Sequence, residues 1–186
     1  MPSFRFQTTA VQLRLRDIET QSMILIALGA NLPFRGSFPA ETLRAALATL
    51  SANGVKPVKV SSLYETPAWP DPSDPAFVNA VAAVETLLDP AALIGKLHEI
   101  ESMFGRVRGK ANAPRTLDLD LLDYNGRVQN GPPQLPHPRM AGRSFVLLPL
   151  QEVAPGWRHP ASGLSVEQLV SSLDSVDDAL HRTEKF

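Results

Sequence analysis

At 186 residues, with 44% hydrophobic and 20% charged content, the chain falls in the ordinary globular range and is long enough for one well-filled core. A formal net charge of −1 excludes a broad nucleic-acid surface, and no apolar run reaches the roughly 18 residues a membrane helix requires, the longest being MILIALGA at 23–30. The absence of cysteine excludes disulfides, thiolate metal sites and a cysteine nucleophile, and fits a reducing cytoplasm.

Residues 1–22 contain three arginines and three leucine or isoleucine residues, without the apolar stretch or small-residue cleavage site of a signal peptide. They are expected to form a flexible tail ahead of one domain, 23–186. SMILIALGAN then reads as a buried strand ending at Gly29. PAETLRAALATLSANG reads as a helix, with Leu43, Leu47 and Leu50 on one face and Asn53-Gly54 as its stop. VKPVKVSSLYET and FVNAVAAVETLL are β-rich runs separated by PAWPDPSDPA, whose four prolines demand an irregular loop.

Asp89-Pro90 supplies an N-cap and a first-turn proline for a second helix, with an apolar stripe of Leu93, Leu97, Ile100 and Phe104 up to Gly105. After a basic loop, PRTLDLDLLDYNG reads as a strand and YNGRVQNG as a hairpin signal. A Pro-rich segment, a short helix near 143–152 and a C-terminal helix near 166–173 complete the chain. The order β-α-β-β-α-β predicts a ferredoxin-like α+β sandwich with an antiparallel sheet, helices covering one face, and a C-terminal extension.

The strand reading of PRTLDLDLL has a chemical consequence. Residues i and i+2 of a strand share a face, so Asp118 and Asp120 point one way while Leu117, Leu119 and Leu121 point the other. Side by side, two carboxylates repel unless a hard cation lies between them, and magnesium suits such oxygen donors. An isolated D-x-D is a weak signal, and two acids paired with arginines on an exposed face is the plain structural alternative. Here the pair follows Arg106, Arg108, Lys110 and Arg115 with no acid among them. Arginines that grip phosphate oxygens beside acids that hold Mg²⁺ make a polyphosphate site. The sequence GRVRGKA is not a Walker loop: three residues separate its glycines where four are needed, and Ala111 stands where Ser or Thr would be.

Two further clusters stand out. LPHPRMAGRSFVLLPL carries His137, Arg139, Arg143 and Phe145; His98, His159 and His181 lack metal-ligand spacing with His137, which suits a phosphate hydrogen-bond donor better than a zinc ligand. In and beside the proline loop stand Thr66, Pro67, Trp69, Phe77 and Asn79. Phe77 and Asn79 share strand parity, so an aromatic face and an amide could meet a planar heterocycle, or Phe77 could be core and Asn79 a turn residue.

Taken together, ALGANL, SSLYETP, FVNAVAAVET, GRVR, PRTLDLDLL and LPHPRMAGRSFVLLPL resemble the 6-hydroxymethyl-7,8-dihydropterin pyrophosphokinases of folate biosynthesis, in order from Met23 to Pro155. The resemblance implies a ferredoxin-like enzyme that moves pyrophosphate from ATP to the pterin hydroxymethyl group, releases AMP and uses two Mg²⁺. It implies that Asp118 and Asp120 ligate the metals, and that Arg106, Arg108, Arg115, His137 and Arg143 handle phosphates. His98 and Glu101 would meet the nucleotide, Glu101 near its ribose. Thr66 and Pro67 would offer backbone contacts to the pterin and Asn79 its amide, with Phe77 and Phe145 sandwiching the ring. One departure is visible: relatives usually carry a basic-aromatic pair before the Pro-Arg, where this chain has Ala111-Asn112. Trp69 is expected to supply the missing cover. The partners expected are ATP and the pterin, with no nucleic acid or membrane, for a cytoplasmic monomer. Two other readings stay open from the sequence: another Mg²⁺-dependent nucleotidyl or phosphoryl transferase, and a non-enzymatic ferredoxin-like binding module.

Overall fold

The computed structural model describes residues 22–68, 71–107, 113–173, 181–184 and 186. β1 (Ile24–Ala30) leads into α1 (Pro39–Ala52), followed by β2 (Lys56–Val60), β3 (Tyr64–Thr66) and β4 (Phe77–Glu85). α2 (Pro90–Met103) and β5 (Asp118–Tyr124) close the core, and α3 (Ser144–Val153), α4 (Val166–Ser171) and β6 (His181–Arg182) form the C-terminal extension. The strand order is β5-β1-β4-β3-β6, with β2 also paired to β4, and each of these pairings is antiparallel. β2 and β3 are successive pieces of one strand position, so the order is that of a ferredoxin-like α+β fold.

Local chemistry sets these boundaries. The Asp89 side chain accepts the Ala92 N–H at 2.8 Å, and Pro90 opens α2. α1 begins at Pro39, the Phe38 N–H donating to the Glu41 carboxylate at 2.9 Å, and gives way at Asn53 to Gly54 with φ +78°. The expected continuous strand over 55–66 breaks at Ser61-Ser62 because the Ser61 hydroxyl accepts the Val81 N–H at 3.1 Å. The hairpin signal makes its turn, with Asn125 and Gly126 both at positive φ, but no returning strand; the chain folds onto itself at a Gln129–Leu135 bridge. Val128 is exposed and its neighbours are polar, so that run carries no apolar alternation to hold it on the sheet.

The two core helices cover one face, as the β-α-β-β-α-β order predicts, and the C-terminal extension adds a layer on the other. On one face Ile24, Ile26 and Leu28 of β1 meet Leu43 and Leu50 of α1 and Leu93, Leu97 and Ile100 of α2. On the other, Leu25, Val81, Ala83 and Leu122 meet Val146, Leu147 and Leu150 of α3, together with Trp157 and α4. β1 is apolar on both sides, as a strand between two layers must be. The second layer covers only part of its face. Beyond Leu25 and Val81, the same side of the sheet presents Ala27, Gly29, Phe77, Asn79, Asp118 and Asp120 to an open cavity.

A register shift between Leu25 and Ile26 against β5 puts Leu122 and Asp123 on one side. Asp123 is thereby buried, at 1% exposure, and its carboxylate accepts the Trp157 indole N–H at 2.7 Å and the Gly126 N–H at 3.0 Å. This pairing pins the layer of α3 and α4 to the end of β5. Burial pushes the Asp123 carboxyl above its ordinary value, against the pull of those hydrogen bonds. A carboxyl raised in the folded state loses stability as pH climbs from its unfolded value, about 3.9, through its folded one. Trp157→Phe should therefore cost about 1–3 kcal/mol in urea unfolding at neutral pH, through the orphaned carboxylate. The deficit should shrink toward the unfolded carboxylate value, and a deficit unchanged with pH would trace to lost packing instead.

Candidate active site

The cavity measures about 770 Å³ and lies over the uncovered end of β1, β4 and β5. Its floor is small because β1 contributes Ala27 and Gly29. Gly29 pairs with Asn79 on one side and Asp118 on the other, and a Cβ there would lie 3.1 Å from the Asn79 Oδ1. Among the described residues, four arginines (Arg106, Arg115, Arg139 and Arg143) and three acids (Glu101, Asp118 and Asp120) line it. That balance favours a polyanion, and more so once a divalent cation joins the acids.

Strand parity holds for the acid pair. Asp118 and Asp120 both face the cavity, with side chains 26% and 39% exposed. Arg106 Nη1 lies 2.9 Å from Asp118 Oδ1 and Arg115 Nη1 lies 3.0 Å from Asp118 Oδ2, so two guanidinium groups bracket one carboxylate. Arg106 also donates to the Leu117 carbonyl at 2.9 Å. The arginine pairing considered for D-x-D is thus present at Asp118, inside a cavity rather than on an open face. Among the described residues no group of three or more His, Cys, Asp or Glu side chains is placed to hold a metal ion. Two adjacent carboxylates still fit Mg²⁺, which takes one or two carboxylates and completes its shell with water and substrate phosphate.

His137 sits behind the pair, its Nε2 4.0 Å from Asp120 Oδ2, with its backbone N–H on the Leu122 carbonyl at 2.8 Å. Burial draws its ring below the ordinary value; Asp120 pushes it up, and Arg143 and Arg139 draw it down. The Arg139 N–H points to Nδ1 at 3.3 Å, which assigns the neutral ring's proton to Nε2, on the side of the acids. Arg143 is lowered from its ordinary value by burial and by Arg139, with Asp120 and Asp118 opposing. It remains a cation.

The aromatic pair lines the same cavity, each ring against a guanidinium: Arg115 lies 5.2 Å from the Phe77 ring centre and Arg143 lies 5.4 Å from that of Phe145. Thr66, Pro67 and Asn79 are beside Phe77, and the Asn79 amide donates to Thr66 Oγ at 3.0 Å. His98 and Glu101 reach the cavity from α2. Glu101 is 2% exposed and accepts the Leu119 N–H at 2.9 Å, so it also anchors the outer edge of β5. Of the site residues expected from the sequence, Trp69 and Arg108 lie outside the described residues, as do Ala111-Asn112 and 1–21. Arg139, Gly29 and Leu173 line the cavity without having been assigned to a site; Arg139 stood in the right motif, whereas nothing in its segment marks Leu173.

Residues 25–155 match the family described as 7,8-dihydro-6-hydroxymethylpterin-pyrophosphokinase, a span that holds nearly every cavity residue named above. The chain belongs to the 7,8-dihydro-6-hydroxymethylpterin-pyrophosphokinase family. It is 41% identical to the 2-amino-4-hydroxy-6-hydroxymethyldihydropteridine pyrophosphokinase of Haemophilus influenzae, over 76% of this chain and 88% of that one. It is 39% identical to the folic acid synthesis protein fol1 of Pneumocystis carinii over 77% of this chain, which spans 19% of that protein. The fold resembles that of wild-type Plasmodium falciparum HPPK-DHPS with a TM-score of 0.62 at 14% identity, covering 86% of this chain and 47% of that one.

The basic loop departs from α2 through Gly105. Its φ is +75°, and a Cβ there would lie 2.8 Å from the Phe34 ring, which itself packs on Phe104 with centroids 5.6 Å apart. Gly105→Ala is expected to cost about 1–2 kcal/mol for the left-handed backbone alone. Calorimetry should then find the melting temperature lowered by about 2–8 °C. An unchanged melting temperature would show that the backbone at Gly105 leaves the left-handed region at no cost when a side chain is added.

Proposed function

We propose that this chain transfers pyrophosphate from ATP to the hydroxymethyl group of 6-hydroxymethyl-7,8-dihydropterin, giving the pterin diphosphate and AMP in folate biosynthesis. The observation that carries the reading is the convergence, in one cavity, of Asp118 and Asp120, four arginines, and a Phe77–Asn79 strand face opposite Phe145. Family membership supplies the reaction. A binding module gives no account of two adjacent acids, one bracketed by arginines, at the uncovered end of a sheet face.

In this reading Phe77 and Phe145 hold the flat pterin between them, an arrangement worth about 0.5–1.5 kcal/mol per aromatic pair beyond area burial. Asn79, with Thr66 and Pro67, reads its hydrogen-bonding edge. Arg106, Arg115, Arg139 and Arg143 bind phosphate oxygens, as does Arg108 from the loop outside the described residues. His137 donates from Nε2 toward the same oxygens, and His98 and Glu101 border the nucleoside. Asp118 and Asp120 would hold two Mg²⁺, which supply charge neutralisation and alignment of the triphosphate when bound. The hydroxymethyl oxygen bonds to the β-phosphorus as the β-phosphorus bond to the α,β-bridging oxygen breaks. AMP leaves with that oxygen, and the hydroxyl proton passes to solvent. No covalent enzyme intermediate is needed, so positioning and charge are the protein's contribution. We also propose that the enzyme works as a cytoplasmic monomer and that Trp69 covers the site where the usual lid pair is replaced.

The test is a chromatographic assay with ATP, Mg²⁺ and 6-hydroxymethyl-7,8-dihydropterin. Pterin-dependent AMP matched by pterin diphosphate is expected; ADP or free pyrophosphate in its place would assign another transferase. Asp118→Asn and Asp120→Asn should each lower turnover at least about 10³-fold with circular dichroism unchanged, since each removes a charge from a site built on charge neutralisation. Retained turnover in both would refute the acid pair's role.

A further inference from the structure

Asn31 does not line the cavity, yet its side chain joins the two loops that border it. It follows β1 and is 3% exposed. Its Oδ1 accepts the Arg115 N–H at 2.7 Å, and its Nδ2 donates to the Pro75 carbonyl at 3.0 Å. The backbone N–H groups of Asn31 and Leu32 both donate to the Arg115 carbonyl, at 3.0 and 3.1 Å. Both backbone polar groups of Arg115 are therefore held by one short segment, and the same amide reaches across to the end of the proline loop, two residues before Phe77.

We infer that Asn31 is a positioning residue for the transfer reaction, acting through Arg115. The Arg115 guanidinium touches Asp118 at 3.0 Å and lies over the Phe77 ring, while its buried Nε has no hydrogen-bond partner among the described residues. Its aim consequently depends on where its backbone starts, and Asn31 fixes that start relative to the loop that ends at Phe77. The role demands an amide, because the side chain must accept on one side and donate on the other. An aspartate keeps the acceptor for Arg115 but turns an oxygen toward the Pro75 carbonyl. A hydrophobic side chain would leave the partly buried Arg115 N–H and Pro75 carbonyl without these partners. A displacement of about 1 Å at a phosphate-contacting arginine is enough to cost about 10²-fold in rate.

The inference rests on the proposed pyrophosphate transfer, and a double-mutant cycle separates the two. Wild type, Asn31→Ala, Arg115→Ala and the double variant are compared in the AMP assay, with thermal unfolding in parallel. Asn31→Ala alone should lower kcat/KM by about 10–100-fold, mainly in kcat; in the Arg115→Ala background the same change should cost less than about threefold. Losses that multiply in the double variant would overturn the inference, because a general structural defect acts whether or not Arg115 is present. Should Asn31→Ala not fold, Asn31→Asp gives the same cycle with one hydrogen bond preserved. A wild type without pterin-dependent AMP would remove the proposed reaction itself.

Discussion

The site depends on the charge balance around Asp118. A partly buried carboxylate on a sheet face whose covered end is apolar requires positive partners, and Arg106 and Arg115 provide them. The same guanidinium groups suit bidentate phosphate binding, so in the proposed reaction the groups that neutralise the acid without substrate are the ones that serve the triphosphate with it. Asp120, with the neutral His137 ring at 4.0 Å, is less fully compensated. The pair as a whole is thus suited to a divalent cation arriving with a polyanion.

The fold creates that location by leaving one face partly covered. α1 and α2 close the first face over the length of β1, whereas α3, Trp157 and α4 close only part of the second. Along β1 the residues facing that second side change from Leu25, in the core, to Ala27 and Gly29 on the cavity floor. A strand whose side chains shrink toward one end, beneath neighbours that carry Asn79 and Asp118, yields a polar cavity without any break in the sheet. The Asp123–Trp157 hydrogen bond ties the covering layer to the strand at its covered end.

Much of this was legible in the sequence, and the illegible parts have physical reasons. Helical spacing placed α1 and α2, and period-two alternation placed Asp118 and Asp120 on one face, because both signals are local. Asp123 could not be read that way. By parity it belongs with Leu119 and Leu121, and the register shift in β5 moves it to the other side. The coverage of the second face was equally hidden, since the apolar run of α3, interrupted by Pro149, does not say which layer it will join. Asn31 stands in the ALGANL motif, but nothing local reveals its role, because its side-chain partners stand 44 and 84 residues away. The sequence motif offers His137 as a phosphate hydrogen-bond donor, and the structure sets its Nε2 4.0 Å from Asp120 Oδ2.

The central claim is that Asp118 and Asp120 form a cation-requiring pair that links Mg²⁺ to nucleotide binding. Isothermal titration of α,β-methylene-ATP into the wild-type protein, with and without Mg²⁺, tests it most directly, since the bond to be broken is replaced and binding is seen alone. The account predicts an affinity at least about tenfold higher with Mg²⁺, with that gain lost in Asp120→Asn. An affinity no higher with Mg²⁺ than without it would contradict the account, and would leave the two acids as counter-charges for the arginines alone.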